Sequence, residues 1–265
     1  RRTMLSKSNI EYLRTDGRKG YNWSFLSGCN HWKTGVCGGG GRDFYCWAKR
    51  MADRFNKGDF SPQLHPERLL DPLRLKKPSK IAVCFTGDLF GDWVDPGQIV
   101  EVYWPNGIAV KGTLQNQVFA ILRACPQHTF IFLTKAPWNL SKWWKFPENC
   151  WVGATATNAL EANSACMNLY DVQAKVKWIS LEPLLDWNPL FKISFPPHIS
   201  LIVIGAATAP YLPPRIESVN EIEQAASEAG IPIWGKNNLA KLLKRPLRQE
   251  LPKEENFPHA VCGDD

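Results

Sequence analysis

Three cysteines, Cys29, Cys37 and Cys46, fall within eighteen residues in the spacing C-x7-C-x8-C, while Cys84, Cys125, Cys150, Cys166 and Cys262 are scattered along the chain. The intervening loop carries Gly38-Gly39-Gly40-Gly41, and Lys33, Arg42, Lys49 and Arg50 lie close by in sequence. Glycines let a loop curl around an inorganic centre, and neighbouring cations favour thiolates. Three thiolates can hold an iron-sulfur cluster and leave one iron open to a small molecule. With His31 they make, equally, a four-ligand zinc set. Inert core thiols fit poorly in a polar, glycine-rich loop.

Other reactive residue types follow a run of short apolar segments. Gly87-Asp88 follows Ile81–Phe85, Thr134-Lys135 follows Phe130–Leu133, and Thr155, Thr157 and Asn158 follow Cys150–Ala154. Ser180 and Glu182 follow Val176–Ile179, Gly205 and Thr208 follow Leu201–Ile204, and Lys236-Asn237 follows Ile231–Trp234. Each residue alone has a structural reading, as a helix cap or a surface charge. Recurrence after successive apolar runs is what points to a site.

These runs have strand length and β-branched or aromatic content, with Tyr21–Leu26 as a seventh. Amphipathic stretches near 114–125, 136–145, 158–173 and 216–229 alternate with them, the last ending at Gly230. Such alternation predicts an α/β fold with a parallel sheet, and about seven strands in one domain favour a TIM-like β/α barrel, complete or partial. In such folds reactive groups gather at the carboxyl ends of the strands. The whole chain, 1–265, reads as one domain with a cluster loop at 29–46. Residues 100–113 read as an inserted β-hairpin turning at Asn106-Gly107.

The net charge of +7 is unevenly spread. Residues 1–80 hold 17 Lys and Arg against 7 Asp and Glu, whereas residues 81–235 hold 9 against 13. A positive amino-terminal third fits an anionic partner, a nucleic acid or a phosphorylated small molecule. Trp143-Trp144, between Lys142 and Lys145, is a candidate stacking patch for bases. No apolar run is long enough for a membrane span, and no apolar signal core follows Arg1–Met4, so a cytoplasmic protein with reduced thiols is expected.

Several ordered motifs resemble a known family. Asn22-Trp23, Gly28-Cys29, Cys46-Trp47-Ala48-Lys49-Arg50-Met51-Ala52-Asp53-Arg54-Phe55, Gly87-Asp88-Leu89-Phe90 and Phe132-Leu133-Thr134-Lys135-Ala136-Pro137 are among them. Asn149–Gly153, Ile179-Ser180-Leu181-Glu182-Pro183-Leu184-Leu185, Val203-Ile204-Gly205 and Lys236 continue the series over about residues 20–240. Together they resemble a phage- and prophage-associated radical-SAM-like family of unknown substrate. The chain departs from it in the long Cys37 to Cys46 spacing, and in having Gly205-Ala206-Ala207 where the family usually shows Gly-Gly-Glu.

The resemblance implies a 4Fe-4S cluster on Cys29, Cys37 and Cys46. It also implies S-adenosyl-L-methionine as cosubstrate, a one-electron reductant, and a 5'-deoxyadenosyl radical acting on a further substrate. On that reading Ser180, Glu182, Thr155, Thr157, Asn158 and Gly205 line the cosubstrate, with Glu182 accepting from its ribose or amino group. Asp88 and Lys135 stand at the reacting end. The competing class is a non-catalytic, zinc-stabilised nucleic-acid-binding protein using Cys29, His31, Cys37 and Cys46.

Overall fold

A computed structural model describes residues 5–34, 46–55, 58–104, 107–143, 145–188, 194–208 and 210–253. Cys37, Trp144 and Cys262 lie outside them. In chain order the elements begin with β1 (Ser6–Lys7), β2 (Tyr21–Trp23), β3 (Leu26–Ser27), α1 (His31–Thr34), α2 (Trp47–Phe55), β4 (Gln63–Leu64) and β5 (Lys80–Val83). There follow β6 (Ile99–Tyr103), β7 (Ala109–Thr113), α3 (Leu114–Ala124), β8 (Thr129–Thr134), β9 (Cys150–Thr155), α4 (Ala159–Tyr170) and β10 (Val176–Leu181). The last are β11 (Leu201–Ile204), β12 (Ala207–Thr208), β13 (Tyr211–Leu212), α5 (Ile216–Glu228), β14 (Ile233–Gly235) and α6 (Ala240–Leu243).

The fold is mixed α/β around an eight-stranded sheet in the order β1-β2-β5-β8-β9-β10-β11-β14. Only β1 runs antiparallel to its neighbour; the other seven strands are parallel. They correspond to the seven apolar runs of the sequence. The strand order follows the chain order throughout, β1 and β14 stand at the two edges, and a closed barrel is not seen. The edge of β14 is occupied by the segment around Gln249, which bridges antiparallel to Trp234.

Pleating sorts the strand residues between two faces. Ile81 and Val83, Phe130 and Phe132, Val152 and Ala154, Ile179 and Leu181, and Ile202 and Ile204 join one core with the apolar sides of α3, α4 and α5. Their alternates, Ala82, Ile131, Trp151, Trp178, Leu201 and Val203, form a second cluster closed by Tyr12 and Leu13 rather than by a helix. All three long helices therefore cover one face of the sheet. The opposite face is filled by large rings: Trp178 lies 5.7 Å from Tyr12, edge on, and donates its Nε1–H to the carbonyl of Phe132 at 3.2 Å. Gly153, paired with Trp178 across the ladder, makes room for that indole, which a Cβ at 153 would overlap.

Local chemistry explains the helix ends. Asn158 accepts from the Glu161 N–H at 2.9 Å as the N-cap of α4, and Thr113 accepts from Asn116 as the N-cap of α3. Gly230, at φ +68°, follows α5. The inserted hairpin is seen as β6 paired antiparallel with β7, from Ile99 opposite Thr113 to Tyr103 opposite Ala109.

Two expectations need correction. The stretch 136–145 is a 3-10 segment, Pro137–Lys142, rather than an α-helix, and its ends are closed by tighter three-residue bonds from the Asn139 N–H to the Ala136 carbonyl and from the Trp143 N–H to the Leu140 carbonyl. Trp143 is buried 5.4 Å from Phe90, so it belongs to the core and presents no face to a base. Among the described residues no helix is long and apolar enough to cross a membrane.

If Trp178 depends on the absent side chain at 153, Gly153→Ala should lower stability by about 1–3 kcal/mol, the usual cost of overpacking. Urea unfolding followed by tryptophan fluorescence measures this. An unchanged midpoint would mean that the indole has room to spare.

Candidate active site

The polar residues gather at the carboxyl edge of the sheet, in three neighbouring groups. The first stands beyond β2, β5 and β8. Gly28, at φ +77°, and Gly87 form a backbone bridge, and a Cβ on Gly87 would lie 2.8 Å from the carbonyl of Gly28. This close approach sets the loop of Cys29 beside that of Asp88. The Cys29 N–H is tied to the carbonyl of Phe60 at 3.0 Å. Cys29 lies in one small apolar cluster with Ala48, Ala52 and Phe60, against which the half-buried Cys46, Trp32 and Trp93 pack.

Asp88 is buried and accepts from several directions. His31 Nε2 stands 2.9 Å from Oδ2, the Thr134 hydroxyl donates to Oδ1 at 2.8 Å, and the backbone N–H groups of Phe90 and Lys135 donate at 3.0 and 2.8 Å. A carboxylate taken out of water needs such a set of donors. The Trp93 ring packs edge on against the His31 imidazole at 4.9 Å. Asp88 thus holds together the loops after β3, β5 and β8, and its oxygens are engaged by the protein itself. Burial first, then the Asp88 charge, push the Cys29 thiol up to about 12, with the His31 N–H and Lys135 acting the other way. A thiol so held is a poor free nucleophile at neutral pH.

The second group lies on β9 and β10. Thr155 and Ser180 are opposite each other in the ladder, and Ser180 stands two residues beyond Trp178, on the ring-filled face. Both hydroxyls are buried, and neither Oγ has a hydrogen-bond partner. Thr157 and Asn158 are differently employed: the Thr157 N–H and hydroxyl both donate to Glu161 at 2.8 Å, and Asn158 caps α4.

The third group spans β10, β11 and β14. Lys236 forms a short ion pair with Glu182 and lies 3.9 Å from Glu11. The sequence leads one to expect a bound molecule as the donor that Glu182 needs; Lys236 is that donor. Gly205 gives the pair its space, since a Cβ there would fall 3.1 Å from both Glu182 Cγ and Lys236 Cδ. Burial, then Glu182 and Glu11, drive the Tyr12 hydroxyl well above its usual range. Tyr12 therefore remains protonated next to the two carboxylates.

The structure thus brings Cys29, Cys46, Asp88 and Lys135 together, Thr155 with Ser180, and Glu182 with Gly205. Cys37 lies outside the described residues. Sequence reasoning treats His31 only as a zinc ligand and leaves Thr134 and Lys236 without roles. Their positions directly after apolar runs were the available signal. Glu11 and Tyr12 sit in a short 3-10 turn with no such marker. Among the described residues no group of three or more His, Cys, Asp or Glu side chains is placed to hold a metal ion, so Cys29, His31 and Cys46 alone do not make one.

Fold and site together define an α/β protein whose parallel sheet carries its polar groups at one edge. The chain matches the family model described as "Protein of unknown function (DUF5131)" over residues 7–241 and belongs to that family. No curated protein and no solved structure matches it.

Asp88→Asn keeps the shape but turns an amide towards at least one of the donors. It should cost about 2–4 kcal/mol in urea unfolding, within the range for breaking buried hydrogen bonds to a charge. A loss below about 0.5 kcal/mol, the scatter of surface substitutions, would show that the carboxylate does not tie the loops.

Proposed function

We propose that this protein is a radical S-adenosylmethionine enzyme on a partial β/α barrel, acting on a nucleic-acid or nucleotide substrate. The observation that carries this reading is the gathering of Cys29 and Cys46 at one small cluster beside Asp88 and Lys135. It lies at the same sheet edge as two buried hydroxyls that lack partners. Placement of α3, α4 and α5 on a single face, with chain order preserved across the sheet, supports the barrel-like architecture. The motif resemblance to the phage-associated radical-SAM-like family points the same way.

The residues fit the implied groups. Cys29 and Cys46, with Cys37, make a three-thiolate donor set suited to iron-sulfur ligation. Ser180 and Thr155 offer hydroxyls that would each cost about 1–3 kcal/mol if buried unpaired, and a polar ligand along β9 and β10 satisfies them. When bound, the 4Fe-4S cluster and S-adenosylmethionine supply one-electron cleavage to a 5'-deoxyadenosyl radical.

The chain supplies position. Asp88 fixes His31 and the loop bearing Cys29 against the end of β8. Lys135 sets a positive charge near the Cys29 thiol. Glu182, oriented by Lys236, presents a carboxylate to ribose hydroxyls, while Ser180 and Thr155 bind from the adjoining strands. Tyr12 and the indoles beneath keep water from that face. The zinc-stabilised alternative leaves the hydroxyls of Ser180 and Thr155 unexplained.

Dithionite-reduced protein, loaded anaerobically with iron and sulfide, should convert S-adenosylmethionine to 5'-deoxyadenosine and methionine, read by chromatography. Glu182→Gln should keep its iron yet bind the cosubstrate about tenfold more weakly, the size expected for losing one charged hydrogen bond. No cleavage by iron-loaded, demonstrably reduced protein would contradict the assignment. Unchanged affinity in Glu182→Gln would place that residue outside the site.

A further inference from the structure

Helix α2 follows Cys46 directly and buries only its small residues, Ala48 and Ala52. Trp47, Met51 and Phe55, at i, i+4 and i+8, line one side and are 53%, 47% and 64% exposed. Large apolar residues normally face a core when they recur at this spacing. Here Arg50 and Arg54 border the stripe, and the Arg54 guanidinium lies over the Phe55 ring at 5.2 Å. The pattern continues from the helix towards the cysteines: Lys49 and Lys33 stand 5.1 and 5.6 Å from the ring of Trp32, which, like Cys46, packs against the small cluster containing Cys29.

Among the described residues acidic groups are few along this track. Asp53 pairs with Lys49, and Asp59 is held low by hydrogen bonds from Ser61 first and by Lys33 after it. Among the described residues, four cations (Lys33, Lys49, Arg50 and Arg54) thus stand with two carboxylates, interleaved with aromatic rings. A positively charged path lined with stacking platforms suits a strand whose bases are unpaired, because a duplex hides the faces of its bases. Phosphates meet the arginines while bases lie on Trp47 and Phe55.

We propose that the α2 face, continued through Trp32 and Lys33, docks single-stranded nucleic acid and leads it towards Cys29 and Cys46. The proposal rests on the enzyme reading above and names its substrate class. Charge complementarity disfavours a second copy of this basic face, and the alternation of cations with rings, continued through Trp32 to the cysteine cluster, favours a nucleic-acid strand over a lipid surface.

Fluorescence anisotropy of the full chain with labelled single-stranded DNA and RNA tests it, using the matched duplex and phosphatidylglycerol vesicles as competitors. Single strands should bind tightest, and affinity should fall steeply with salt. Arg50→Ala/Arg54→Ala should weaken binding by roughly tenfold or more and flatten the salt dependence. Trp47→Ala/Phe55→Ala should weaken it by about as much without altering that dependence. All four positions are exposed, so iron content and unfolding midpoint should stay at parental values.

Oligonucleotide affinity unchanged in both double variants would overturn the proposal. So would preferential binding to vesicles, or a dimer in sedimentation that both variants dissociate. Oligonucleotide binding is read without the cleavage assay. Cleavage without strand binding would sink the docking proposal alone, whereas strand binding without cleavage would sink the enzyme reading and reduce this face to a binding surface.

Discussion

A buried carboxylate is tolerable only where the protein surrounds it with donors, and Asp88 is surrounded by His31, Thr134 and the backbone N–H groups of Phe90 and Lys135. These donors come from three separate parts of the chain, so satisfying the charge fixes three loops relative to one another. The contact between Gly28 and Gly87 permits it sterically. Cys29 lies one residue after this junction, and its position relative to Cys46 and Lys135 follows from it. The remainder of the sheet edge is organised by a second charge pair, Glu182 with Lys236, whose space depends on Gly205.

Between these charged ends lie two hydroxyls, Ser180 and Thr155, on the face opposite the helices. That face is filled low down by Trp151, Trp178, Tyr12 and Trp234, leaving polar side chains at its carboxyl rim. Rings that fill the middle of the sheet and polar groups at its rim are the division expected where a ligand enters from one end. The proposed cosubstrate would then lie along β9 and β10, with cysteines on one flank and Glu182 on the other.

The seven parallel strands were legible because nearly all are short apolar runs with most residues buried, the half-buried β2 being the weakest of them, and runs of that kind have few alternatives. The hairpin was legible from its Asn106-Gly107 signal, and the placing of Cys29, Asp88 and Lys135 at one edge of the sheet from their positions after those runs. What escaped depended on tertiary contacts. Asp88 reads as a reactive group in sequence, yet its partners lie 46 and 57 residues away in Thr134 and His31. Trp143 looks like a stacking residue beside lysines until Phe90 and Phe119 close over it. Glu11 reaches Lys236 from the opposite end of the chain, and no local pattern announces such a pairing.

The central claim is that the three clustered cysteines hold an iron-sulfur centre. Iron, sulfide and zinc per chain, measured after anaerobic reconstitution of the parent and of single cysteine-to-alanine variants, test it most directly. The account predicts about four irons per chain in the parent, loss of iron on changing Cys29, Cys37 or Cys46, and retention on changing Cys84 or Cys150, which are buried in or beside the strands. One zinc per chain without iron, or iron that survives loss of Cys29, would contradict it.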